Sequence, residues 1–228
     1  LNNMIHGTHN AIEDPKNANI QIMINDTLYD RKDAKISVFD SGYLVGDGIW
    51  EAFRLHKGSL AFADMHLNRL WSAAASVGME FPFSKKELLE KVWRVIEANH
   101  MEDHVHVRVM ITRGIKKTPS QDPRLTIIGP NVVIIAEHKK ASQHSKEKGI
   151  TLFTSTIRRG SPDYLDPRLN CHSKLHEVQA LIQAIEAGGD EALMLDINGF
   201  VSTCNATNFF IIRDNEIWTS TGEYCMNG

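Results

Sequence analysis

The stretch FDSGYLVGDGIWEAFRLHKGSLAFADMHLNRL, residues 39–70, changes its period part-way along. Up to the Lys57-Gly58 turn it reads as extended chain interrupted by glycines. From about Asp64 the apolar residues Leu67, Leu70, Trp71, Ala74 and Val77 recur at helical spacing until Gly78 closes the pattern. Upstream, ANIQIMINDTLYD reads as strand, turn and strand, with a charged turn at RKDAK. Downstream, SKKE at Ser84 to Glu87 is a capping box, and it opens a second helix with Leu88, Val92, Val95 and Ile96 on one face. The runs VHVRVMI and NVVIIAE add further sheet. Together these elements predict a small α+β domain over residues 1–138.

Residues 139–149, KKASQHSKEKG, are polar and read as a linker. A second domain begins at 150: ITLFTSTIRR as a strand, a helix after Lys174, then strands joined by turns at Asn198-Gly199 and Asp214-Asn215. The helix signal lies in LNCHSKLHEVQALIQAIEAGG, residues 169–189, where Leu175, Val178, Leu181, Ile182 and Ile185 keep helical spacing up to Gly188 and Gly189. The expectation is that residues 150–228 are only the start of this domain.

The 228 residues are 42% hydrophobic and 23% charged with a formal net charge of −3, a balance that shows no basic face for nucleic acid. Apolar runs such as NFFII are strand-sized and stop at charges, so a membrane span is not expected. The first residues lack a basic region followed by a long apolar one, and the cytoplasm is the expected compartment. Cys171, Cys204 and Cys225 are widely separated and read as reduced thiols. His104, His106 and Arg108 alternate along one strand, which reads as a polar strand face in preference to a metal site. No metal is expected.

Three features carry chemistry. Gly42, Gly46 and Gly48 allow tight turns or a close backbone approach. His66 and Arg69, three apart on the first helix, project from one side, and an arginine fork suits phosphate as well as an ion pair. Lys174 stands where an extended segment meets a helix; taken alone, it reads as one more solvated lysine.

In order, GDGIWEAFR with HLNRL, then Arg113-Gly114, then Lys174 before a helix, then GFVSTCNATNFF resemble the class IV (fold type IV) pyridoxal-phosphate aminotransferases over roughly residues 35–228. That group includes branched-chain and D-amino acid aminotransferases and aminodeoxychorismate lyase. The resemblance implies an α+β chain in which a small N-terminal domain precedes a larger pseudo-barrel, cofactor-binding domain. It implies that Lys174 forms a Schiff base with pyridoxal 5'-phosphate and moves the substrate proton, a task that needs a primary amine. It implies that Arg69 holds the cofactor phosphate and that Asn208 and Thr207 lie in the turn beneath the ring; Trp50 and Lys117 are candidate substrate contacts. Amine donor, 2-keto acid acceptor and a homodimer follow from the same resemblance.

Departures from the family pattern sharpen the expectation. Thr203 occupies the position of the glutamate that pairs with the ring nitrogen, and a neutral hydroxyl cannot hold that positive charge. Gln179 stands where branched-chain enzymes often carry tyrosine. The loop RGIKKTPSQDPRL offers Lys116, Lys117 and Arg124 as possible carboxylate contacts without matching the family's arginine and histidine. Transamination is the leading function. A lyase of aminodeoxychorismate type and a weakly active homologue are the alternatives.

Overall fold

A computed structural model describes residues 14–226. Its contacts divide the chain into two units, one holding residues 14–140 with Asn170–Ser173 and the other holding Ala141–Leu169 with 174–226.

The first unit contains β1 (Gln21–Ile24), β2 (Thr27–Asp30), α1 (Ser41–Val45), β3 (Gly48–His56), β4 (Ser59–Leu60), α2 (Ala63–Ser76), α3 (Lys85–Ala98), β5 (Val105–Thr112), β6 (Ile115–Lys116), β7 (Thr126–Ile128) and β8 (Asn131–His138). Six strands form one antiparallel sheet in the order β2-β1-β8-β5-β3-β4. Its inner face follows from two-residue alternation: Val105, Val107, Val109 and Ile111 on β5 are buried, opposite Leu55, Phe53, Glu51 and Ile49 of β3. Helix α2 packs on β3, and α3 packs on β8 and β1. The residues buried on α3, Leu88, Val92, Val95 and Ile96, are its predicted face, whereas those buried on α2, Leu67, Leu70, Ala73 and Ala74, include Ala73 from outside the predicted stripe. The capping box at α3 forms as its spacing predicts: Ser84 Oγ accepts from the Glu87 amide, while the Glu87 carboxylate accepts from the Ser84 amide.

Two short helices differ from the sequence expectation. Within the stretch read as strand and turn, α1 forms because the Asp40 carboxylate caps it through the Gly42 amide. That carboxylate is fully buried and also accepts from Thr112 Oγ1 and Asn131 Nδ2, so the cap depends on residues far away in sequence. Within the stretch read as linker, α4 (Gln143–Lys148) forms under a Ser142 cap.

The second unit adds β9 (Leu152–Thr154), α5 (Leu175–Glu186), β10 (Glu191–Leu195), β11 (Val201–Cys204), β12 (Phe210–Arg213) and β13 (Glu216–Thr219). Strands β9 and β10 pair in parallel across α5, β11 pairs antiparallel with β10, and β12 and β13 form a hairpin. The core of this unit is Ala180, Ala184, Ala192 and Met194, with Phe153 and Ile157 packed against it. Helix α5 occurs where the spacing predicts, yet it buries small residues and leaves most of its apolar stripe exposed: Leu175 is 71%, Ile182 48% and Ile185 60% accessible.

Candidate active site

In the second unit Lys174 occupies the N-cap position of α5 without a side-chain capping bond, its side chain 30% exposed. Its Nζ donates to Glu177 Oε1 at 3.3 Å, an i,i+3 contact within the first turn. The same oxygen accepts from Arg159 Nη1 at 2.5 Å. Both Arg159 and Glu177 are buried, and Arg159 Nη2 also donates to the Cys204 carbonyl at 2.8 Å. One carboxylate therefore answers two cations. A pair this deeply withdrawn from water holds only if its members stay charged and bonded, so Arg159 fixes the carboxylate that in turn orients the lysine amine. The sequence reading misses both partners, although the Lys174–Glu177 spacing is a usable signal.

The turn after β11 is a closed hydrogen-bond system. Thr203 Oγ1 donates to the Thr207 carbonyl at 2.7 Å, the Cys204 amide donates to the same carbonyl at 3.0 Å, and Thr207 Oγ1 donates to Glu191 Oε2 at 2.8 Å. Asn205 fastens the turn to β10, its amide donating to the Ala192 carbonyl and its side-chain oxygen accepting from the Ala192 amide. Thr203 is buried and its single hydroxyl hydrogen is committed, which leaves it only lone pairs to offer. Burial raises the Cys204 thiol above its ordinary value; a hydrogen bond with Thr207 and the charge of Arg159 pull it down, Glu191 pushes it up, and it remains a thiol at neutral pH. Asn208 is exposed, as is Gln179.

In the first unit Glu51 stands among apolar residues on the inner face of β3, only 1% exposed. Arg69 reaches down from α2 and donates to it twice, Nε to Oε1 at 2.5 Å and Nη2 to Oε2 at 2.9 Å. His66 Nδ1 lies 2.9 Å from Oε2. Burial pushes the Glu51 carboxyl upward, but the hydrogen bonds and charges of Arg69 and His66 outweigh it and hold the group below its ordinary 4.5. The spacing of His66 and Arg69 on one helix side is thus used to converge on a single carboxylate. A glutamate alternating with Ile49 and Phe53 on a buried strand face is the sequence signal for a cation above it.

On the opposite face of β3, Trp50 carries the Arg108 guanidinium over its ring at 4.2 Å from the centroid. Burial lowers the Arg108 pKa from its ordinary value, and Glu137 opposes that at longer range. Trp50 also fixes chain next to the lysine: its Nε1 donates to the Cys171 carbonyl at 3.2 Å and its amide donates to the Asn170 carbonyl at 2.8 Å. Among the loop cations, Lys116 is buried with Nζ on the Asp122 carbonyl, and Arg124 is paired with Asp122. Lys117 is exposed, its amide bonded to the Leu125 carbonyl. His106 and Arg108 share the polar face of β5, while His104 precedes the strand with a positive φ of 57°.

Comparison with known proteins gives this geometry a context. The family model described as amino-transferase class IV matches residues 48–228. Branched-chain-amino-acid aminotransferase-like protein 2 of Arabidopsis thaliana is 35% identical over 214 residues, which is 94% of this chain and 38% of that protein. A putative branched-chain-amino-acid aminotransferase of Methanocaldococcus jannaschii is 34% identical over 200 residues, 88% of this chain and 68% of that one. The chain thus spans well under half the length of the plant relative. Among solved structures, the branched-chain aminotransferase of the thermophilic archaeon Thermoproteus uzoniensis with norvaline superposes with a TM-score of 0.78 at 22% identity, over 92% of this chain and 71% of that one, a likeness of fold. With the family model covering most of its length and relatives above 30% identity, this chain belongs to the class IV aminotransferases.

Proposed function

We propose that the protein is a pyridoxal-phosphate-dependent aminotransferase that moves an amino group between an amine or amino acid and a 2-keto acid, with Lys174 as its reactive amine. The observation that carries the reading is the Lys174 amine itself, accessible yet oriented by a buried Glu177–Arg159 pair at the head of a helix in a family-matched segment. The donor set suits pyridoxal phosphate: a primary amine for its aldehyde, the Arg69 guanidinium for its phosphate, and the Thr203 and Thr207 oxygens with Asn208 in one turn for its ring. When bound, that cofactor supplies an aldehyde and an electron-withdrawing ring.

The chain's own residues define the remaining tasks. Lys174 Nζ would take a proton from the substrate carbon and deliver it to a different carbon, as amino transfer requires, and Glu177 would hold the charged amine between those events. Arg159 keeps the Glu177 carboxylate in place. Glu51 presents the Arg69 fork by bonding its Nε and Nη2 edge. Thr203, with its hydrogen committed to Thr207, can accept a hydrogen bond from a ring N–H but adds no negative charge there. Arg108 is exposed like Lys117, but its guanidinium is held on the Trp50 ring and offers a planar fork, which suits it better than a loop lysine to bind a substrate carboxylate. A homodimer is the proposed assembly. Supporting it, the first unit exposes Ile36, Val38, Phe39 and Tyr43 within one short stretch, and two-fold pairing is the commonest oligomer.

The deciding experiment supplies full-length protein with pyridoxal phosphate, an amino donor and a 2-keto acid. Amino transfer that requires the keto acid and disappears in Lys174→Ala supports the proposal. Product formed without any keto acid identifies a lyase, and cofactor binding without turnover of any donor identifies a weakly active homologue.

A further inference from the structure

The three glycines of the GYLVGDG stretch all face one short segment. Asn170–Ser173, the residues just before Lys174, lie against β3: the His172 amide donates to the Gly48 carbonyl at 2.9 Å, Cys171 bridges Ile49, and Ser173 Oγ donates to the Gly46 carbonyl at 3.4 Å. A methyl group at Gly48 would stand 2.8 Å from His172 Cε1 and Nδ1, and one at Gly42 would stand 2.5 Å from Thr112 Cγ2 and 3.0 Å from His172 Nδ1. A methyl at Gly46 would stand 2.7 Å from Ser173 Oγ, at a positive φ of 71°. The imidazole therefore sits in a notch cut by the absence of two side chains, with the Ser173 hydroxyl in a third. His172 Nε2 is buried and has no hydrogen-bond partner among the described residues, so no polar contact at that atom explains the ring's placement. The shape of the notch, together with a backbone hydrogen bond at Ile49, holds the ring.

We infer that His172 is a positioning residue: its ring, keyed between Gly42 and Gly48, registers the segment that ends in Lys174 and so sets where the reactive amine stands. The inference rests on the proposed role of Lys174. Because Ser173 and Lys174 share a peptide bond, a displaced imidazole displaces the start of the lysine's own backbone, and reactions of a positioned group are sensitive to such shifts.

The test uses full-length protein incubated with pyridoxal phosphate and trapped with borohydride, with the rate of label gain at Lys174 read by peptide mapping and the exposed Lys86 as an internal control. Gly48→Ala should slow labelling of Lys174 about tenfold while Lys86 is unaffected, and His172→Ala should slow it less. The double variant Gly48→Ala/His172→Ala should label faster than Gly48→Ala alone, because the clash is gone, while Lys86 labelling and the unfolding midpoint of the folded variants show that the change at Lys174 is not a general loss of structure. If Gly48→Ala does not fold, His172→Ala decides alone. Wild-type labelling rates in the folded single variants, or a double variant slower than Gly48→Ala, overturn the keying. Label absent from Lys174 in the wild-type protein instead overturns the assignment of the lysine.

Discussion

Two helices of similar design meet opposite fates. Helix α3 carries an apolar stripe and buries it completely, Leu88, Val92 and Val95 being inaccessible beneath the sheet. Helix α5 carries an equally regular stripe but turns Ala180 and Ala184 inward, leaving Leu175, Val178, Ile182 and Ile185 exposed, and the hairpin β12–β13 that follows is exposed throughout. Periodicity states that a helix has an apolar face; it does not state which partner covers that face. In the first unit the partner is the six-stranded sheet of that same unit. In the second, a small alanine-rich core leaves the larger side chains exposed.

The comparison breaks most readily at the buried charges. Glu177→Gln leaves Arg159 withdrawn from water with half its partner, and should cost about 3–5 kcal/mol of stability in denaturant unfolding; it should also slow amino transfer, since Lys174 loses the group that orients it. A loss below about 1 kcal/mol with full activity would show that the pair neither supports the unit nor positions the amine. Next comes packing. Leu88→Ala should cost about 2–5 kcal/mol, whereas Ile182→Ala should change the stability of the chain by no more than about 0.5 kcal/mol. Equal losses in the two variants would mean that α5 is covered after all; a loss appearing at Ile182 only in longer protein would identify the stripe as a docking face.

The smallest effect is one of pH. Burial lowers the His172 pKa below its ordinary 6.5, against the charge of Asp40, with Arg108 adding to the lowering, and a backbone hydrogen bond at Ile49 and the charge of Asp47 opposing it. The unfolded chain takes up this proton as pH falls through about 6.5 and the folded chain does so only at lower pH. The stability held by neutral His172 is therefore complete above that point and lost as pH falls toward the folded value. Glu51 acts in a lower window: its carboxyl is held below 4.5, so its contribution is present above that value and lost as pH falls through the folded pKa. His172→Gln should flatten the stability profile between neutrality and pH about 5 and leave the steeper acid limb; an unchanged profile would remove His172 from this account.

What is legible in the sequence is local. The α3 capping box needs only Ser84 and Glu87, three residues apart, and the α2 stripe needs only its own spacing. The order of motifs is sufficient to reach the family. What is not legible depends on long-range partners: the α1 cap works because Thr112 and Asn131 close around Asp40, and the glycines of residues 42–48 serve His172 and Ser173, more than 120 residues away. Arg159 escapes notice for the same reason, since its partners Glu177 and the Cys204 carbonyl lie 18 and 45 residues along the chain. Lys117 is legible as a charged loop residue, while the stacking of Arg108 on Trp50 is not, because it needs two paired strands brought side by side.

The central claim is that one amine, that of Lys174, carries the chemistry. It is tested most directly by loading full-length protein with pyridoxal phosphate, reducing with borohydride, and mapping the modified peptide. The expected result is a single stoichiometric label on Lys174 that an excess of amino donor displaces before reduction. A label spread over surface lysines, or concentrated on any lysine other than Lys174, would contradict it.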